Sequence, residues 1–282
     1  LNLGRTYELI IQNPSHEQRT IKPPFTLELE VTRNTLASTN ETYLTITNLG
    51  SNTRNWLFKD RYNLTQYWQM QLRAGYEGNN LFTLFLGNIM EAFSTKSGPD
   101  WKTKINAYDG LFGLQNGFVS QSFSSGASKK DLVNSAVSSM PNIAAGLFGQ
   151  PTLGENRRGV VAFGATKDFL DEQFPGQYYI DGEKLNILGD NEIDDSTVVV
   201  LDSDQLLKTP ERRDTFLDIQ MMFLPQARIG ILTEVKSNYP IYNGQYKCIG
   251  LRHSGIISES VNGELTTSLN LYAGAGAFTP VS

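Results

Sequence analysis

The chain has 282 residues, 39% hydrophobic and 19% charged, the balance of one large or two smaller folded domains rather than wholesale disorder. Its 24 Lys and Arg against 29 Asp and Glu give a formal charge of −5, which argues against a broad basic surface gripping nucleic acid. DNA that passes by without being held is not excluded. A lone cysteine, Cys248, has no internal disulfide partner and sits in the apolar run YKCIGL, where a buried structural thiol is expected. No apolar run reaches the ~20 residues of a membrane helix, and no basic-then-apolar leader is present, so no membrane anchor is expected. The first residue is Leu1 rather than methionine, which leaves open whether N-terminal residues are missing.

In chain order, the first third reads as β. TLELEV (26–31) sets Leu27, Leu29 and Val31 against Thr26, Glu28 and Glu30. YLTIT (43–47) sets Leu44 and Ile46 against Tyr43, Thr45 and Thr47, and YWQMQLRA (67–74) sets Trp68, Met70 and Leu72 against Gln69, Gln71 and Arg73. Such two-faced strands belong to antiparallel sheets. LFTLFLGNI (81–89) is apolar on both faces and predicts a central strand or one whose outer face meets something else. SNTRNWLFKDRY (51–62) predicts a short helix capped by Ser51 or Asn52. SGPD (97–100) is a turn, and WKTKINAYDG (101–110) resumes as a strand. That is enough β-structure for a small barrel or sandwich.

The texture changes after about 115. A Ser/Gly linker at 120 leads to a helix carrying Leu132, Val133, Ala136 and Val137 and ended by Pro141. Residues 146–159 read as a Gly/Pro-rich loop, and GATKDFLDEQF (164–174) as a helix with Thr166 at its N-cap. QYYIDGEKLNIL (177–188) predicts a hairpin turned on Asp181-Gly182. From about 196 the β pattern returns in STVVVLD, FLDIQMMF, RIGILTEV, YKCIGLRHSG and LTTSLNLYA, with hairpin turns expected at Asn243-Gly244 and Asn262-Gly263. The order is therefore mainly β with a small α/β insert.

Chemistry-bearing patterns are sparse. His16 and His253 lie far apart, and Ser254 beside His253 points to the opposite strand face, so neither builds a nucleophilic triad. One Cys and two His do not supply a structural zinc site. Asp202-Ser203-Asp204 lacks the glycine and glutamate of a calcium loop and reads as a solvated acidic turn. No phosphate loop is present, and AGAGAF has no helix after it. Glu28 and Glu30 share a strand face without sign of a cleft. No catalytic, cofactor or metal residue is assigned, and no enzyme is expected.

In combination, TNLG (47–50), the Thr-Arg helix after it, AGY (74–76), LF…GNI (81–89) and the DG close (109–110) resemble the first domain of bacteriophage tail baseplate hub proteins. GATKDFLDEQF…QYYIDGEKLNIL resembles that family's connecting domain, and RIGILTEV…NGQYKCIGLRHSGII…GELTTSLNLYA its last barrel. The resemblance implies two tube-like antiparallel β-barrel domains, 1–115 and 196–282, around a small α/β connecting domain, 116–195, from which the second barrel borrows strands. It also implies a homotrimer whose pseudo-sixfold ring adapts a six-fold tail tube to a three-fold central spike, as in the related spike base of type VI secretion systems. The partners it implies are a tail tube or distal tail protein, the spike and a tape measure protein, in a virion baseplate assembled in the host cytoplasm. On this reading Glu28, Glu30, Thr45 and Thr47 face a channel that DNA passes without specific binding. Trp56 and Phe58 of the 53–62 helix, with Phe82 and Phe85 of the 81–86 strand, are the expected subunit contacts. The rivals are a carbohydrate-binding β-sandwich for receptor attachment, which needs exposed aromatics where most here sit in strand patterns, and a cell-wall hydrolase.

Overall fold

Alternation of apolar and polar residues makes strands here because one side of each is covered and the other is not. The computed structural model describes residues 4–36, 39–259 and 263–281. The first part comprises β1 (Arg5–Gln12), β2 (Gln18–Ile21), β3 (Leu27–Asn34), β4 (Asn40–Thr47), α1 (Ser51–Trp56), β5 (Gln69–Tyr76), β6 (Phe82–Ser97) and β7 (Asp100–Asp109). The expected inward residues of β3, β4 and β5 are inward: Leu27, Leu29, Val31, Leu44, Ile46, Met70 and Leu72 are all buried. In β6 the register slips opposite Leu72 and Arg73, and this bulge turns two consecutive residues, Leu84 and Phe85, into the core. The cap of α1 is Gly50 rather than Ser51 or Asn52, with no side-chain hydrogen bond.

The middle part comprises α2 (Leu111–Asn116), β8 (Phe118–Phe123), α3 (Lys129–Ser139), β9 (Ala144–Phe148), β10 (Val160–Ala165), α4 (Thr166–Gln173), β11 (Tyr178–Ile180) and β12 (Lys184–Ile187). Leu132, Val133 and Ala136 of α3 pack with Phe169 and Leu170 of α4 over two small sheets, β8–β10 and β9–β12–β11. Residues 120–123, expected as linker, are strand β8 paired to β10. The loop expected at 146–159 begins inside β9, which runs parallel to β12. Thr166 opens α4 instead of capping it, and its hydroxyl meets that of Ser139 at 2.7 Å.

The last part comprises β13 (Glu192–Asp202), β14 (Glu211–Arg213), β15 (Phe216–Met222), β16 (Ile231–Lys236), β17 (Gly244–Ile257), β18 (Leu265–Tyr272) and β19 (Thr279–Val281). The expected Asn262-Gly263 turn begins at Asn262, outside the described residues. First and last parts form one sheet of 14 strands, along the path β14-β15-β18-β17-β3-β4-β7-β6-β5-β1-β2 with β13, β16 and β19 off it. The join is β3 against β17, antiparallel from Leu27 opposite Ile257 to Asn34 opposite Gly250. One core lies under the first part and another under the last, and Phe223, Ile257 and Leu265 cross over to complete the first.

The middle module is fixed to this sheet by the β11–β12 hairpin. Its turn centres on Gly182-Glu183, one residue beyond the expected pair, with both residues at positive φ (61° and 59°). Such a turn matches the twist of the strands it joins, but a non-glycine residue in it is strained. The Asp109 carboxylate, where the chain leaves the sheet, offsets the strain by accepting from the Gly182 and Glu183 N–H groups at 2.6 and 2.8 Å. Arg33 of β3 clasps Asp181 with two nitrogens, at 2.8 and 2.5 Å, and Asn40 donates to the Ile180 carbonyl at 2.9 Å. Tyr67 and Gln69 donate to the Glu183 carboxylate. Burial beside Asp181 pushes the Asp109 carboxyl up to about 8, against the N–H donors and Arg33 that favour its charge.

His253 of β17 is fully buried beside Phe223. Its Nδ1 lies 3.0 Å from the Thr267 hydroxyl, while Nε2 has no hydrogen-bond partner among the described residues. Burial, and then the charge of Arg33, holds its pKa down at about 3. A depressed folded pKa gives stability that is complete above the unfolded value of 6.5 and is lost as the pH falls from there toward 3.

Two outcomes are expected. Arg33→Leu strands the Asp181 carboxylate and costs about 3–5 kcal/mol, and hydrogen exchange then shows residues 111–188 losing protection before the sheet does. Uniform loss throughout the chain would mean that the clasp does not anchor the module separately. His253→Leu removes about 2 kcal/mol of the stability lost by the parent between pH 6.5 and 5, read from urea melts of both proteins at each pH. Parallel pH profiles would rule out His253 as the source.

Candidate functional site: a polar sheet face and its open edges

The side of the sheet away from the cores is polar over eight adjacent strands, from β14 to the second half of β6. Cross-strand register aligns its rows. Glu28 lies opposite Thr45 and Thr45 opposite Lys104, while Glu30 lies opposite Tyr43 and Ser254. Thr47 lies opposite Lys102. Arg252, Ser268 and Gln220 carry the face across β17, β18 and β15. The four residues expected to face a channel, Glu28, Glu30, Thr45 and Thr47, therefore share this one face. Basic residues are interspersed with them, and Arg252 forms an ion pair with Glu30 at 2.8 Å. Exposed as it is, that pair adds little stability. It breaks up what would otherwise be a purely acidic strip.

At one end of these eight strands is β14, whose hydrogen-bond partner is β15 on a single side. At the other end β6 divides its pairing, its first half with β5 and its second half with β7. Lys59 bridges the outer side of β6 at Ala92, by backbone bonds of 2.9 and 3.0 Å. Beyond Ala92 no described strand pairs with that side. Next to this edge, the loop after α1 exposes Phe58 (64%), Tyr62 (82%) and Leu64 (45%).

The four expected contact residues divide. Phe58 is exposed and Phe82 partly so. Trp56 is half-buried, with its ring edge-on to Trp68 at 5.3 Å, its N–H donating to Glu17 at 2.8 Å and Arg19 stacked over it at 4.6 Å. Phe85 is spent inside the protomer, because the β6 bulge points it into the first core at 3% exposure. Tyr62 falls inside the 53–62 segment expected to make contacts, which is helical only as far as Trp56, whereas Leu64 was not singled out from sequence.

Among the described residues no group of three or more His, Cys, Asp or Glu side chains is placed to hold a metal ion. Cys248 is buried, and burial pushes its thiol up to about 12. Asp202 and Asp204 are exposed around a short 3-10 turn.

A family model described as "Baseplate hub gp41" matches residues 8–256. No curated protein matches the sequence. Among solved structures, the 43 kDa tail protein of prophage MuSo2 from Shewanella oneidensis superimposes with a TM-score of 0.63 at 9% identity, over 94% of this chain and 98% of that one. A tail protein from Neisseria meningitidis MC58 gives 0.59 at 11% identity, over 94% and 96%. A chain of the Francisella PdpA–VgrG complex in a half-lidded form gives 0.59 at 10% identity, over 98% of this chain and 59% of that one, and a chain of a lidless PdpA–VgrG complex gives 0.60 at 10% identity, over 98% and 66%. At these identities the likeness is one of fold.

The division of the aromatics has a measurable outcome. Phe85→Ala costs about 3–5 kcal/mol in a chemical melt, whereas Phe58→Ser and Tyr62→Ser stay within about 0.5 kcal/mol of the parent. A comparable loss in all three would mean that the 58–64 loop is packed rather than free.

Proposed function

The chain belongs to the baseplate hub gp41 family, a structural component of the virion tail baseplate, and from that membership we propose that three copies close into a pseudo-sixfold ring. The observation that supports this most is the eight-strand polar wall, bounded by β14 at one end and by the stretch of β6 beyond Ala92 at the other, neither of which pairs with a further described strand on its outer side. Open edges invite pairing with another chain. Two different edges on one wall make a head-to-tail contact, which either closes into a ring or runs on as a filament. At about 4.8 Å per strand, eight strands span roughly 38 Å, and three walls give a perimeter of roughly 115 Å, or about 37 Å between facing backbones. Each copy contributes twice, once through 1–115 and once through 196–282, as two tube-like barrel domains with 116–195 connecting them.

In that ring the face bearing Glu28, Glu30, Thr45 and Thr47 lines the channel. Its carboxylates repel phosphate and its ion-paired or scattered cations grip it only locally, so DNA slides through without specific binding. Phe58 with Tyr62 and Leu64, at the β6 edge, covers the seam with the next copy. Phe82 contributes to a neighbouring contact, and Trp56 acts by holding the α1 loop in place. One end of the ring meets the tail tube or a distal tail protein. The other meets the central spike, a reading supported by the shared fold with a chain of a PdpA–VgrG complex. A tape measure protein enters the same bore, and assembly takes place in the host cytoplasm.

The seam is testable with cysteines, because Cys248 is buried and leaves little background. A protein carrying both Thr95→Cys and Arg213→Cys, both on the polar face by register, joined by a short bis-maleimide, is expected to give closed trimers by native mass. Either substitution alone is expected to stay at protomer mass after denaturation. Cross-linked dimers that never close, or cross-linking from one substitution alone, would sink the head-to-tail ring.

A further inference from the structure

The middle module roofs one end of the polar face, and a cavity of about 200 Å³ remains beneath it. Its floor is a single cross-strand row. Phe216 of β15 lies opposite Tyr272 of β18, with ring centroids 5.7 Å apart, and Tyr272 lies opposite Lys247 of β17. Tyr179 and Leu188 supply a wall, and Leu36, 69% exposed, stands at the rim. First, middle and last parts of the chain all contribute.

Two charged residues line this cavity, Asp190 at its exposed rim and Lys247, which is 5% exposed. Its ammonium donates to the backbone carbonyls of Gly189 at 2.8 Å and Asp190 at 3.4 Å. An ammonium has three N–H groups, so one is left over. Asp190 and Glu192 both pull on its charge. The Glu192 carboxylate, however, is occupied by the N–H groups of Gln150 and Gly189, and the Asp190 side chain is at the exposed surface. Among the described residues Lys247 has no ion pair. Burial holds its amine down at about 8, the mark of a cation short of solvation. An anion brought into the cavity replaces what burial has removed, and the rings and Leu188 receive an apolar body.

We infer that this cavity binds a carboxylate carried on a small apolar body, with Lys247 taking the carboxylate and Phe216, Tyr272 and Leu188 the body. The volume is below that of ordinary ligand pockets, roughly 300–1,000 Å³, and restricts the body to about one side chain. The same chemistry is offered by a free aliphatic or aromatic acid and by the carboxyl terminus of another polypeptide ending in an apolar residue. The inference is independent of the ring, since the cavity lies within one protomer.

The test uses the full chain and titrates 3-phenylpropionate against its amide by calorimetry. The acid is expected to bind at least ten-fold more tightly than the amide, and Lys247→Met, which keeps the stem, is expected to abolish that preference. Phe216→Ala, at a partly exposed position, is expected to weaken acid binding several-fold and decides the matter if the lysine variant does not fold. Peptides ending in Phe, with free or amidated carboxyl termini, separate the sources. Tighter binding of the free-ended peptide than of 3-phenylpropionate assigns the site to a polypeptide, and the reverse assigns it to a free acid. Equal binding of acid and amide, no binding of either, or a preference that survives Lys247→Met overturns the inference.

Discussion

The pairing of β3 with β17 is the constraint on which the rest of the molecule depends. It joins residues more than 200 positions apart over a register from Leu27–Ile257 to Asn34–Gly250. Without it the chain would be two sheets, each with a long open side. With it, the alternation of each half is brought into phase. A one-residue slip would turn Glu28 and Glu30 into the core and Leu29 and Val31 out to solvent. The phase is also held from below, because Phe223, Ile257 and Leu265 fill the first core from the last part of the chain.

The middle module is an insertion into that continuous wall. The chain leaves at Asp109 and rejoins at Glu192, and it is clasped near its exit point by Arg33, Asn40 and Asp109 itself. Polar groups make this clasp, and each buried one has a specific partner. It therefore fixes orientation more than it adds stability. The same module closes the roof over Lys247, so the placement of the hairpin on the wall and the shape of the cavity follow from one set of contacts.

Much of the wall was legible in the sequence because each strand has one covered face, and period two records that directly in β3, β4 and β5. What was not legible depended on distant residues. Residues 120–123 looked like linker because Ser120, Gln121 and Ser122 are all exposed on a two-stranded ribbon. The turn at 182–183 was misplaced by one because a glutamate is no signal of positive φ, and the Asp109 carboxyl that accepts from its N–H is distant in sequence. Phe85 was read as a contact because a bulge has no signature in alternation; it simply interrupts it. The polar face was recognisable residue by residue, but its extent across eight strands follows from the β3–β17 join, which no local pattern carries. Family resemblance was legible in the combination of segments and not in any single one.

The same join bears on how the protein comes into being. During synthesis Val31 of β3 must wait for His253, about 220 residues later, which at 5–20 residues per second is on the order of 10–40 s. Throughout that interval the nascent first sheet has one flank without its partner, and its core lacks the three side chains delivered from the far end. Glu28, Glu30 and Thr32 along β3 are of the charged and polar kind that disfavours edge-to-edge pairing at such an open flank.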